Sequence, residues 1–279
     1  MGEKRVTERK DGSFSFQKAW EVVFPFLLYY LVFNTAFIIL AFACQAGMEY
    51  FGEGFRQFMT AYETTVSGVA GGLCSMIGIL PLLPMLKKEL WTRTAGRPGT
   101  DAVQVRITEL VETVIFAVAI SLGLNAFLAL TGFAASSQTY QEVAEHQYGV
   151  AFGIGLFLYG LVSPLAEEVV FRGIIYNRLR RFFGPVIGIV ASALFFGAFH
   201  GNLVQGVYGA VMGFFMAYLY ERSGKFFIPV LFHAAANLAV YTAAHLQTVQ
   251  AALFTPWGCA VLLAVAVVCV FLEEKRKDN

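Results

Sequence analysis

The sequence predicts an all-α, polytopic membrane protein of about eight transmembrane helices that encloses a polar site inside the bundle. Three observations lead there. The 279-residue chain is 57% hydrophobic and only 14% charged, far from the balance of a water-soluble domain. Its apolar residues gather into eight stretches near the roughly 20 residues that a spanning helix needs. Its basic residues are sorted onto alternate connections between those stretches. The formal net charge of +1 argues against a nucleic-acid partner.

The first apolar stretch, 21–46, follows a polar segment, 1–20, with no short apolar core and small-residue cleavage site. It reads as a retained anchor rather than a removable signal. The second and third stretches are 65–86 and 108–133, the third opened by Glu109 and Glu112, which suit a helix N-terminus. The fourth is 149–166, but its helical pattern continues to Phe183. That is about 50 Å of helix, too long for one span, and Pro164 is the expected bend. The last four are 185–202, 206–221, 226–246 and 250–272; within the sixth, Gly209 and Gly213 predict close helix packing.

Eight spans put both termini on one side. The segments 1–20, 87–106, 172–184, 221–225 and 273–279 then hold 19 of the 20 Lys and Arg residues, Arg56 being the exception. The other side receives Glu49, Glu53, Glu63, Glu142 and Glu145. The positive-inside rule makes both termini cytoplasmic, in the inner or plasma membrane of a cell. The four cysteines, Cys44, Cys74, Cys259 and Cys269, lie in apolar runs without C-x-x-C spacing and read as small buried hydrophobes. The chain divides into a cytoplasmic segment 1–20, three helices with their loops over 21–148, a core over 149–246, and a last helix with its tail over 247–279. It has no evident internal repeat.

Ionisable groups at membrane depth are costly and mark function. Three such groups stand out: Glu167-Glu168-x-x-x-Arg172, Phe196-x-x-x-His200 and His233-x-x-x-Asn237. Glu168 and Arg172, four apart, share a helix face and can pair. Glu167 points about 100° away, so the two glutamates have different tasks: one held ionised by the arginine, the other turned to a cavity. Gly184-Pro185 marks a hairpin, with Glu167 before it and His200 after it by nearly equal lengths. A Glu167–His200 pair is therefore expected, and His233 reaches the same depth if Tyr176 to Phe183 protrudes into the cytoplasm. A glutamate beside a histidine can deprotonate water and return the proton to a leaving amine. A second histidine and an amide can stabilise an oxyanion. No G-x-S-x-G or H-E-x-x-H motif is present. Glu167, His200 and His233 could also hold Zn²⁺.

The three elements, in this order on successive apolar segments, resemble the CPBP family of CAAX-prenyl-protease and bacteriocin-processing membrane proteins, also called Abi. The resemblance covers about residues 160 to 240 and extends through Phe171-Arg172-Gly173. It implies an eight-helix intramembrane endopeptidase whose site opens toward the cytoplasm. Glu167 would be the water-activating carboxylate assisted by His200; His233 and Asn237 would form the oxyanion hole; Glu168 and Arg172 would support them. The family has been described as metalloproteases. No cofactor is favoured here, because Asn237 is a poor zinc ligand and a good oxyanion donor. The implied partners are the lipid bilayer and a peptide or protein substrate at the membrane, prenylated for some members.

Less specific readings stand beside these. Glu168 and Arg172 could serve as a purely structural ion pair, and His200 and His233 as interhelical hydrogen-bonders. His146 and His245 read as interfacial residues, Phe196 as packing, and Asn202 as a minor candidate beside His200. The alternative function is a non-proteolytic membrane scaffold or bacteriocin-immunity protein of the same fold. A transporter is less favoured, as no paired interrupted helices mark inverted repeats.

Overall fold

The computed structural model describes residues 15–95 and 106–275. Residues 1–14, 96–105 and 276–279, part of the basic segments above, lie outside the described residues. Among the described residues the chain is helix and turn throughout.

Helix α1, Phe16–Tyr50, starts inside the segment taken from sequence as polar, because Ser15 caps it by accepting the Lys18 N–H at 3.3 Å. A short α2, Glu53–Ala61, leads to α3, Glu63–Ile79, which passes through a 3₁₀ turn at Leu80–Leu82 into α4, Leu83–Ala95. Helix α5, Ile107–Leu130, is followed by the short α6, Gln138–Tyr148, capped by Ser137. The segment Phe152–Phe183 is one continuous helical rod built of α7 (Phe152–Phe157), a π turn (Leu158–Val162), α8 (Ser163–Glu168), a longer π stretch (Val169–Tyr176) and α9 (Asn177–Phe183). Then come α10 (Pro185–Phe199), α11 (Leu203–Ser223), α12 (Phe227–His245), the short α13 (Gln247–Leu253) and α14 (Pro256–Lys275).

Seven of these continuous helical segments are long and apolar enough to cross a membrane. The fifth predicted span, 185–202, corresponds to α10, which is apolar but has only 15 residues, about 22 Å. Gly184, at φ 87°, turns the chain in a conformation that favours glycine, and Pro185 starts α10. The helix ends where His200 must stand, in the interior. Helix α10 is packed against α9, the long π stretch and α11. Its length is thus set by protein neighbours rather than by bilayer thickness.

Phe116, Phe171, Ile174, Phe196, Met216 and Phe232 form the centre of the core. Large apolar side chains such as Leu31, Phe42, Val186 and Leu194 are exposed around it, as a lipid-facing belt requires. All four cysteines are free, three of them buried.

The end of the bundle bearing the arginines is held by ion pairs. Glu89 of α4, 3% exposed, takes Arg178 at 2.8 Å and Arg181 at 2.5 Å. Glu221 of α11 takes Arg93 at 3.0 Å and Arg180 at 2.6 Å, and accepts the Tyr176 hydroxyl. Lys225 pairs with Glu109 at 3.0 Å. Helix α9 is tied to α4 and α11 by these pairs, with Asn177 and Leu179 buried. Arg172, which by sequence position falls to this basic face, is wholly buried in the interior.

Candidate active site

The site is assembled where the long rod departs from α-helical geometry. Pro164 produces no break. The π turn before it delivers the Ser163 N–H to the Leu158 carbonyl, inserting a residue and opening room for the proline ring. Pro164 has no N–H to return to the preceding turn. The Tyr159 carbonyl instead accepts the Asn237 side-chain amide at 2.9 Å. Only an NH₂ group can bond a carbonyl, so this contact fixes Asn237 with Nδ2 inward from α12. The second π stretch starts directly after Glu168, and all eight of its residues are buried.

Glu168 and Arg172 are both fully buried and paired at 2.8 Å. Arg172 also donates to the Gly213 carbonyl at 3.1 Å and lies over the Phe196 ring, 4.4 Å from its centroid. Glu168 accepts the His233 Nδ1–H at 2.9 Å, and the Nε2 of the same ring lies 3.8 Å from Glu167. His233 thus stands between the two glutamates. Glu167 is partly exposed within the bundle and accepts a 2.6 Å hydrogen bond from the Ser163 hydroxyl, one turn earlier. Glu168 Oε2 and Arg172 Nε are buried without a hydrogen-bond partner among the described residues, a cost that structural ion pairs normally avoid.

The spacing F-x-x-x-H acquires a physical meaning. His200 Nδ1 donates to the Phe196 carbonyl at 2.9 Å, which leaves Nε2 as the acceptor nitrogen. The Phe196 ring meets His200, His233 and Arg172 at once. The small residues of α11 admit these groups: a Cβ on Gly209 would come within 3.2 Å of the His200 ring, and one on Gly213 within 3.0 Å of Arg172. Sequence reasoning anticipated close helix packing there; what the glycines make room for is the site itself.

Glu167, His200, His233 and Asn237 line one cavity of about 210 Å³, together with Ser163 and Phe196. The expected Glu167–His200 pair is not what the described residues present. His200 bonds within its own helix, and the imidazole next to Glu167 is His233. No three His, Cys, Asp or Glu side chains among the described residues converge as metal ligands; Glu167, His200 and His233 line the same cavity. Ser163 escaped sequence reasoning, although its position four residues before Glu167, beside a proline, was a usable signal. His146 bonds Ser67 at 3.1 Å and His245 bonds the Tyr241 carbonyl at 2.9 Å, both outside the cluster. Asn202 caps α11 by accepting the Gln205 N–H. At the far end of the cavity, burial raises the phenols of Tyr140 and Tyr148 above their usual range, so both remain neutral.

Residues 149–239, which contain all three motifs, match the family model of the type II CAAX prenyl endopeptidase, Rce1-like. The stretch of the chain that carries the three motifs is therefore similar to the CAAX prenyl endopeptidase family, the resemblance that the motifs implied. A curated Bacillus subtilis protein, named "Putative membrane peptidase YdiL", is 27% identical over 143 residues, a match covering 43% of this chain and 57% of the relative. The chain thus spans little more than half the length of that relative. No solved structure matches it.

Proposed function

We propose that this protein is an intramembrane endopeptidase that hydrolyses a peptide bond with water activated by Glu167. The observation that carries the reading is the contrast between two adjacent carboxylates. Glu168 is held through one carboxylate oxygen by both Arg172 and His233, away from the cavity, whereas Glu167 faces the cavity with Ser163 and His233 beside it. The buried Glu168 orients an imidazole and an arginine; Glu167 is placed to move a proton.

In this reaction Glu167 takes a proton from water held between its carboxylate and the acceptor Nε2 of His200. The resulting hydroxide adds to the carbonyl carbon of the scissile bond. The oxyanion receives hydrogen bonds from the second Asn237 Nδ2–H and from a protonated His233 Nε2. Glu167 then delivers its proton to the leaving nitrogen, the C–N bond breaks, and a carboxylic acid and an amine depart, the acid passing its proton to the amine once in water. Asn237 is pre-oriented for this by the Tyr159 carbonyl, and His233 by Glu168. No step requires a metal. The CAAX type of substrate belongs to the description of the matching family; for this chain we propose the broader class of polypeptide segments at the membrane, prenylated or not.

The test is cleavage of CAAX-type and unmodified apolar reporter peptides by purified protein in detergent, with and without a strong chelator. Glu167→Gln, which keeps shape and removes the base, is expected to lower the rate by about 10²–10⁴-fold at unchanged thermal stability. Wild-type cleavage should survive the chelator. A Glu167→Gln variant as active as wild type would overturn the assignment; loss to chelator with rescue by Zn²⁺ would replace the mechanism.

A further inference from the structure

The cavity reaches one end of the bundle and is closed toward the other. On the side of the basic face, every residue from Val169 to Tyr176 is buried. Met216, Tyr220 and Phe232 from the facing helices are buried as well. Beyond them lie the Glu89 and Glu221 ion-pair networks. Among the described residues this layer is closely packed between Glu167 and the basic face. In the opposite direction the cavity wall runs through Asn125 near the end of α5, Gln205 at the start of α11, and Tyr140, Gln147 and Tyr148 of α6. All five are partly exposed. Helix α6 lies across that end, tied to α3 through His146 and Ser67, and presents Glu142 and Glu145 outward.

The wall is chemically uniform. Apart from Glu167, His200 and His233, no side chain lining the cavity is charged; the approach is made of amides, tyrosines and aliphatic groups. Such a wall offers hydrogen bonds to an extended backbone and to neutral polar side chains. A charged side chain would be desolvated there without a partner.

Resting on the endopeptidase reading above, we infer that water and substrate reach Glu167 from the α6 face, opposite the basic face, and that the accepted substrate is an uncharged, extended polypeptide segment presented on that side. Under the positive-inside rule that side is extracytoplasmic, the reverse of the access implied by the family resemblance.

The test reads accessibility, so it is independent of cleavage. Single cysteines are placed at Gln205 and, separately, at Ser163 in a chain whose four native cysteines are replaced by alanine. Glu142→Cys marks the α6 face and Lys275→Cys the basic face. Sealed membrane vesicles of both orientations are treated with a charged, membrane-impermeant maleimide. Gln205→Cys and Ser163→Cys are expected to label in the vesicles that label Glu142→Cys, and not in those that label Lys275→Cys. A neutral tetrapeptide added in excess is expected to slow this labelling severalfold, and a peptide with Lys or Glu at its centre to leave it unchanged. Labelling in company with Lys275→Cys, or no labelling from either side while both markers react, would overturn the access route. Equal protection by the charged peptide would overturn the substrate class. Should labelling follow the expectation while no peptide is ever cleaved, the endopeptidase reading fails and the access route stands.

Discussion

The two neighbouring glutamates differ in what surrounds them, and residue-scale function follows from that difference. Glu168 has no exposure and two cationic or imidazole partners; Glu167 has the cavity and one hydroxyl. In the proposed reaction Ser163 is a positioning residue, since its 2.6 Å hydrogen bond holds the carboxylate of Glu167. Hydrogen bonds to charged groups contribute about 1.5–3 kcal/mol. Ser163→Ala is therefore expected to lower kcat about tenfold or more with KM little changed. Adding it to Glu167→Gln should cause no further loss, a non-additivity that a double-mutant cycle would detect. An additive loss would show that Ser163 acts elsewhere. The pairing of Glu168 with Arg172 was legible in the sequence, because i,i+4 neighbours meet on any helix. The pairing of His233 with both glutamates was not, because it depends on how α12 lies against the rod.

At the scale of elements, Pro164 and Asn237 belong to one device. The proline withholds an N–H from the rod, and the asparagine of a different helix fills the place, binding α12 to the rod and aligning its amide at the cavity. Pro164→Ala restores an N–H that can compete for the Tyr159 carbonyl. Thermal stability should be equal or higher, since helix-interior proline is costly, while activity should fall toward that of Asn237→Ala, about 10²-fold below wild type. A variant that loses stability but keeps its turnover would sink this account. The sequence suggested a bend at Pro164, and the structure accommodates the proline with a π turn within a continuous helical rod. Hydropathy cannot distinguish the two, because an inserted residue rotates the following side chains by about 100° without altering which residues are apolar.

For the whole molecule, the ion pairs at the basic face seal one end of the bundle. Glu89 is nearly inaccessible and holds two arginines of α9. Glu89→Gln leaves those charges uncompensated and is expected to destabilise the protein by about 3–5 kcal/mol, read as a lower midpoint of thermal unfolding in detergent. Glu53, whose pair with Arg56 spans 4.0 Å on an open surface, is the internal control: Glu53→Gln should stay within about 0.5 kcal/mol of wild type. Equal effects of the two substitutions would mean that the buried network has no structural role.

The membrane class, the approximate helices, the sorting of charge and the six polar residues of the core are properties of composition, periodicity and spacing, all local along the chain. They could therefore be read without a structure, and the family match over 149–239 covers the stretch that holds the three motifs. The tertiary structure decided which imidazole meets Glu167, that α10 stops short, that the arginines of α9 are clasped, and toward which end the cavity runs. These depend on helix crossing, on residues inserted by π turns and on where helices end. Such quantities are set by packing between distant segments and leave no periodic trace in the sequence.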